Sequence, residues 1–283
     1  MLNNLQVKND LGRVINFDLR SPNTEDKKYP LVVFLHGFKG FKDWGFIPYF
    51  CEKLADNFIV VNMDFSFNGI IDAENSIYDS EIFRKNTISQ QIKDANITID
   101  YIKTILEGTN YFNGEVYLVG HSLGGATSVF LSTLRNDINK IVLLASISKI
   151  NRNSERQKEA WKELGYMEFR VQPNNQTLHL DYSYQDDKDL NFRPNQLIED
   201  LIDFKKPVLI IHGMQDVTVK IDEAKILFDA RCDNGLEELT EFEFLAKCGH
   251  TFNVRNNKDN FEHNICLNKV IKTTNDFLLN NEL

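Results

Sequence analysis

Short, continuous apolar runs alternate with helix-spaced ones along most of this 283-residue chain. Val, Ile, Leu and Phe crowd residues 31–35, 58–63, 116–119, 141–145 and 208–211, with a further strand pattern at 241–245. Strands of that composition are buried on both faces, as in a parallel sheet. Between them, apolar positions recur every three or four residues at 46–55, 87–106, 123–134, 221–230 and 267–279, which predicts helices. Near the start, segments 5–8 and 13–18 flank Asn9-Asp10-Leu11-Gly12 and read as an antiparallel hairpin. The alternation predicts an α/β fold, a mostly parallel central sheet flanked by helices on both faces.

One segment breaks the rhythm. From 147 to 204 the chain turns polar and aromatic, with Trp161, Tyr166, Phe169, Tyr182, Tyr184 and Phe192 set among charges, until Lys206-Pro207 restarts the pattern. A long excursion inside a compact domain is usually functional, often a lid or binding loop. The expected organisation is a core over 1–146, an inserted cap over 147–204 and the remainder of the core over 205–283.

The elbow candidate lies where strand passes to helix. Glu115 to Val119 reads as a strand and Ala126 to Leu134 as an apolar helix face, and Gly120-His121-Ser122-Leu123-Gly124-Gly125 joins them. A serine on such a turn exposes its hydroxyl above the sheet, and glycines two positions before and after avoid collision with the adjoining strand and helix. Serine is a weak nucleophile at neutral pH. It requires a histidine base, and the histidine requires a carboxylate that fixes its tautomer and stabilises its cation.

The expected chain order is serine, acid, histidine. Asp216 follows the strand at 208–211 in His212-Gly213-Met214-Gln215-Asp216, and His250 follows the strand ending at 245 in Cys248-Gly249-His250. Both sit in loops at the carboxyl ends of strands, where sites of open α/β sheets lie. Among rivals, Asp222 falls at a helix start, His263 in a polar helical stretch and His179 in the excursion; His36, His121 and His212 adjoin turns that they could orient. Oxyanion donors are expected from the amides of Leu123, after the nucleophile, and Phe38, in the loop His36-Gly37-Phe38 after an early strand.

Composition narrows the partners. A hydrophobic share of 42% with 26% charged residues excludes a disordered chain, and no apolar run reaches the ~20 residues a bilayer span needs. Met1-Leu2-Asn3-Asn4 lacks the basic and apolar regions of a signal peptide, so a cytoplasmic location is expected. The net charge of -9 argues against nucleic acid. A small-molecule substrate is expected, without membrane association and with a homodimer left open. Cys51, Cys232, Cys248 and Cys266 are scattered without a Cys-x-x-Cys pair, so neither a zinc site nor a disulfide framework is signalled and free, packed thiols are expected.

Taken together, His36-Gly37-Phe38, the elbow, His212-Gly213-x-x-Asp216 and Gly249-His250 resemble the α/β-hydrolase superfamily. Within it, the chain is similar to the dienelactone-hydrolase-like serine esterases, which include intracellular cinnamoyl (feruloyl) esterases. The resemblance implies an α/β-hydrolase fold and an acyl-enzyme carboxylesterase with no metal or other cofactor. It also implies a cap over the acyl pocket, where His121, Trp161, Tyr182 and Tyr184 would contact substrate. A dienelactone hydrolase itself uses a cysteine where this chain has Ser122, and prolyl-oligopeptidase-type peptidases usually add a propeller for which 283 residues leave no room. An aminopeptidase or acyl-peptide hydrolase on the same fold, or a catalytically silent binding module, are the alternatives.

Overall fold

A computed structural model of the chain describes residues 2–23, 27–172, 174–256 and 259–280. It opens with the hairpin β1 (Leu2–Lys8) and β2 (Val14–Arg20), followed by β3 (Tyr29–Leu35), α1 (Ile47–Leu54) and β4 (Ile59–Met63). A small hairpin, β5 (Ile70–Asp72) and β6 (Ile77–Tyr78), and the single-turn α2 (Ser80–Phe83) precede α3 (Ile88–Leu106). Then come β7 (Phe112–His121), α4 (Leu123–Leu134) and β8 (Ile138–Leu144). The excursion carries α5 (Glu155–Leu164), β9 (Tyr166–Arg170), β10 (Thr177–Asp181), α6 (Ser183–Asn191) and α7 (Gln196–Asp203). The chain ends with β11 (Val208–Gly213), α8 (Ile221–Cys232), β12 (Thr240–Leu245) and α9 (Ile265–Leu279).

Eight strands form one sheet in the order β1-β2-β4-β3-β7-β8-β11-β12. Only the β1/β2 and β2/β4 pairs are antiparallel; from β4 onward every pair is parallel. Side chains of successive strand residues point to opposite faces, so each strand feeds two cores. Val33, Leu35, Val61 and Leu118 join the core beneath α3 and α4, whereas Val32, Phe34, Val60 and Val119 join the one beneath α1 and α9. That double burial explains the largely apolar sequences of β3, β4 and β11.

Helix α4 is buried on every side from Leu123 to Ser132, because it lies between β7, α3 and α7. Its Thr127 and Ser128 hydroxyls donate back to the Leu123 and Gly124 carbonyls, which satisfies them without water. Helix α3 starts at Thr87, whose side chain accepts from the Gln90 amide. Its buried Asp94 accepts from Asn9 Nδ2, the Ser66 amide and Gln90 Nε2, tying the first hairpin to the helix.

The excursion is more structured than its polar composition predicts. Its hairpin β9/β10 is clamped from outside by paired bonds between the Gln176 amide and the Tyr78 backbone (2.9 and 2.6 Å) and by the Arg84–Asp181 ion pair at 2.9 Å. No helix among the described residues is long and apolar enough to cross a membrane.

Candidate active site

Four loops leave the carboxyl ends of β3, β7, β11 and β12 and converge on one crevice, the usual position for a site in an open parallel sheet. Strand β7 ends at His121 and α4 begins at Leu123, so Ser122 alone makes the turn, with φ 56° and ψ −116°. A non-glycine residue in such a region costs about 1–3 kcal/mol and persists only where its surroundings impose it. Here the Ser122 amide is held by the Leu144 carbonyl at 2.9 Å. A Cβ on Gly120 would collide with the Gly124 carbonyl, and one on Gly124 would fall on the Leu35 carbonyl oxygen. Both glycines are required by close approach of strand and helix.

His250 Nδ1 lies 2.7 Å from Asp216 Oδ2. The other carboxylate oxygen, Asp216 Oδ1, accepts from the Thr218 and Val219 amides at 2.8 and 2.9 Å, and His212 Nε2 stands 3.3 Å from Oδ2. Burial acts to raise the Asp216 carboxyl, but the bonds from His212 and His250, the His250 charge and the Val219 amide outweigh it and hold the group well below the usual carboxylate range. Asp216 is therefore an anion facing the imidazole. Ser122 and His250 line the same cavity. Among the described residues no hydrogen bond joins Ser122 Oγ to the ring; such contacts are often long before substrate binds.

The rivals lie elsewhere. Asp222 is an exposed residue in the first turn of α8, 3.5 Å from Lys225, and His179 pairs with Glu168 on the partly exposed hairpin. His263 sits on a 3-10 turn before α9.

Three further histidines fix loops. His36 Nδ1–H donates to the Gly37 carbonyl (2.9 Å) while Nε2 accepts from the Phe65 amide (3.4 Å). Burial pushes His36 down to about 4, against the opposing pull of the Gly37 carbonyl, so the ring is neutral. It thereby sets the Gly37-Phe38 backbone against the elbow: a Cβ on Gly37 would come to 3.0 Å from that of Ser122. His212 Nε2 donates to the Val219 carbonyl at 2.8 Å. His121 Nε2 donates to the His250 carbonyl at 2.9 Å, and burial first, then the neighbouring His250 charge, lower its pKa to about 3.

Two cavities meet at Ser122 and share Phe38 and Thr218 in their walls. The first, about 370 Å³, is lined by His250, His121, Trp44, Tyr78, Lys39 and Arg170. The second, about 280 Å³, lies against the excursion and is lined by Leu123, Trp161, Met167, Phe169, Tyr184 and Lys188. Of the aromatic residues named from the sequence, Trp161 and Tyr184 line this second cavity. Tyr182 lines neither cavity; its ring packs edge-on against Trp161, with centroids 5.7 Å apart. His121 lines the first cavity, but its Nε2 is engaged by the His250 carbonyl. Lys39, Arg170 and Lys188 carry no sequence signal, since a lone cation in a polar segment reads as solvated surface.

One expectation is corrected. Cys248 and Cys266 are not free thiols: they form a disulfide, with Cα atoms 5.8 Å apart, that ties the His250 loop to the first turn of α9. Eighteen residues separate them in sequence, and only the fold of the intervening loop brings them together. Cys51 and Cys232 are free.

An eight-stranded sheet with a strained serine turn after one central strand, and an acid and a histidine in loops after later ones, defines the α/β-hydrolase class. The sequence profile of the prolyl oligopeptidase family matches residues 82–266, and the chain belongs to that family. It is 29% identical over 116 residues to a probable aminopeptidase of Bacillus subtilis, YbaC; the match covers 41% of the chain and 33% of that protein, about a third of its length. Among solved structures, ferulic acid-bound Est1E from Butyrivibrio proteoclasticus superposes with a TM-score of 0.69 at 18% identity, over 97% of this chain and 98% of that one. Mouse alpha/beta hydrolase domain-containing protein 10 gives a TM-score of 0.64 at 15% identity over 97% of both chains. At these identities the structures establish the shared fold.

Proposed function

We propose that the protein is a serine carboxylesterase acting on esters of small or aromatic acyl groups. The observation that carries the reading is the Asp216–His250 pair, whose imidazole walls the same cavity as the elbow serine. His250 Nε2 takes the Ser122 proton as Oγ bonds to the acyl carbon. The carbonyl oxygen, now an anion, is held by the Phe38 and Leu123 amides and by the positive end of α4. As the tetrahedral centre collapses, the bond to the alcohol oxygen breaks and His250 returns the proton to that oxygen. Water then repeats the sequence on the acyl-serine, giving the free acid and restoring Ser122. The 147–204 segment acts as a cap over the acyl pocket.

A second reading, an aminopeptidase, is favoured by the family and by the Bacillus subtilis relative. An aminopeptidase must bind the substrate's α-ammonium, which calls for a carboxylate beside the nucleophile. Among the described residues the walls of both cavities contain Lys39, Arg152, Arg170 and Lys188 and no Asp or Glu. That balance favours an ester of a neutral or acidic acid over a peptide with a free amino end.

The test is hydrolysis of p-nitrophenyl acetate, butyrate and octanoate and of methyl ferulate, beside an aminoacyl p-nitroanilide, with Ser122→Ala as control. Turnover of an ester that the variant loses supports the proposal. Preference for the anilide moves the assignment to the peptidase, and failure of all substrates together with no fluorophosphonate labelling of Ser122 removes the activated serine. As for compartment, the proposal of a cytoplasmic enzyme faces one contrary observation, the Cys248–Cys266 bond, because cytosolic thiols are kept reduced.

A further inference from the structure

Lys188 stands on α6 with only 2% of its surface exposed, yet it lines the second cavity together with Ser122. Its ammonium lies 5.2 Å from the Tyr184 ring centroid and 5.9 Å from that of Trp161. Those π faces give it some stabilisation but no hydrogen-bond acceptor. Among the described residues Lys188 makes no ion pair. The flanking carboxylates are engaged elsewhere: Asp187 accepts from the Ser89 amide and from Asn191, and Asp189 accepts from Gln185. The other cation of this cavity, Arg152, is bound to Glu223 through both carboxylate oxygens. Burial pushes the Lys188 ammonium down to about 8, with Asp189 acting in the opposite sense, so at neutral pH it is still mainly charged. A buried cation without an anion is costly, and an incoming carboxylate would remove that cost.

The two cavities differ in which end of the substrate they can receive. His250 must protonate the departing alcohol, so the leaving group lies on the side of the first cavity, which His250 lines. The second cavity lacks His250 and includes Leu123, whose amide is the proposed oxyanion donor; it is the side left for the acyl chain.

We infer that Lys188 is a specificity-determining residue that selects acyl groups bearing a carboxylate at the end remote from the scissile ester. The natural substrate class is then the monoester of a dicarboxylic acid, its chain lying against Phe169, Trp161 and Tyr184 and its free carboxylate meeting the Lys188 ammonium. This inference rests on the hydrolase reading above and adds the acyl chemistry to it.

The test compares kcat/KM for the p-nitrophenyl monoesters of glutaric, adipic and suberic acids with the carbon-matched pentanoate, hexanoate and octanoate esters. A charge-assisted bond at a buried site predicts that wild type favours at least one carboxylated ester by about tenfold or more. Lys188→Met should abolish that ratio and Lys188→Arg should retain part of it. A wild-type ratio at or below unity for all three pairs, or a ratio undiminished in Lys188→Met, overturns the inference. Should the variants fail to fold, wild type alone still decides: suberate must inhibit turnover of the acetate ester more strongly than octanoate, and equal inhibition overturns the claim. Acetate turnover with fluorophosphonate labelling of Ser122 but no carboxylate preference leaves the hydrolase standing and Lys188 refuted; absence of both turnover and labelling overturns the two together.

Discussion

Asp216 and His250 meet at 2.7 Å, although 34 residues and the whole of α8 and β12 separate them in sequence. The geometry makes the carboxylate an orienting group: with Oδ1 held by two amides, Oδ2 faces only imidazole donors. In the proposed mechanism an ionised Asp216 keeps the proton on His250 Nδ1 and leaves Nε2 free to accept from Ser122. In Asp216→Asn, the amide oxygen stays with the Thr218 and Val219 amides and the NH₂ turns to His250, forcing the proton onto Nε2. The expected loss in kcat is about 10⁴-fold with the fold retained. Steady-state kinetics beside circular dichroism check it, and a variant within tenfold of wild type would show that another acid, or none, serves His250.

The neutral His36 predicts a pH dependence of stability with a definite sign. Its folded value of about 4 lies below the ordinary 6.5, so as pH falls the unfolded chain is protonated first. The stability is complete above pH 6.5 and is lost progressively down to about 4, a total of about 3 kcal/mol by linkage. Buried Asp64, raised to about 7 by burial against the Lys42 amide and charge, works in the opposite direction over the same range. Comparison with His36→Gln isolates the histidine: the difference in unfolding free energy between the two proteins should shrink by about 1.4 kcal/mol per pH unit below 6.5. A difference that stays constant from pH 7 to pH 4 would refute the buried neutral ring.

How far these relationships were legible in the sequence depended on whether their cause was local. The apolar runs of β3, β7 and β11 and the turn glycines at 120 and 124 answer to steric demands of adjoining residues, and the helix predicted over 87–106 is observed at Ile88–Leu106. The elements of the excursion escaped because their stabilising contacts are distant: Trp161 Nε1 donates to the Leu180 carbonyl, and Gln176 bonds to Tyr78, 98 residues away. The short β5, β6 and α2 carry too few residues for a period to register. For the same reason the sequence carries no signal for the position of Lys188 or for the pairing of Cys248 with Cys266. Lys247, Phe252 and Asn253 take positive φ in the loop that the bond ties to α9.

The Cys248–Cys266 bond is expected to stabilise both the fold and the site. Closing a loop of this length is worth about 3 kcal/mol through the entropy of the unfolded chain. The loop also contains His250, and Cys248 supplies the carbonyl that accepts from the Gln215 amide at 2.9 Å, next to Asp216. Dithiothreitol, or Cys266→Ser, should therefore lower the melting temperature by several degrees and reduce kcat more than KM. A thiol titration of denatured, unreduced protein decides whether the bond forms in the cell: of four cysteines two should react. Four reactive thiols in protein taken directly from the cytosol would mean that the enzyme works reduced.

Arg231 predicts a stability effect remote from the chemistry. Its guanidinium is fully buried on α8 and donates to the carbonyls of Leu201, Phe204, Lys206 and Leu239 and to Thr240 Oγ1, at 2.7 to 3.2 Å. Leu201 and Phe204 belong to the end of α7, so this one side chain fastens the last helix of the excursion to the re-entry strand β11 and to β12. Arg231→Met keeps the volume of the stem but leaves four carbonyls without their donor, each a desolvation cost of about 1–3 kcal/mol that water entry only partly offsets. The expected destabilisation is about 3–5 kcal/mol, read as a shift of the urea midpoint at unchanged slope. Lysine restores the charge but has three donors where five acceptors wait, so Arg231→Lys should recover less than half of the loss. Full recovery by lysine would show that the charge, and not the planar fork, is what holds α7 in place.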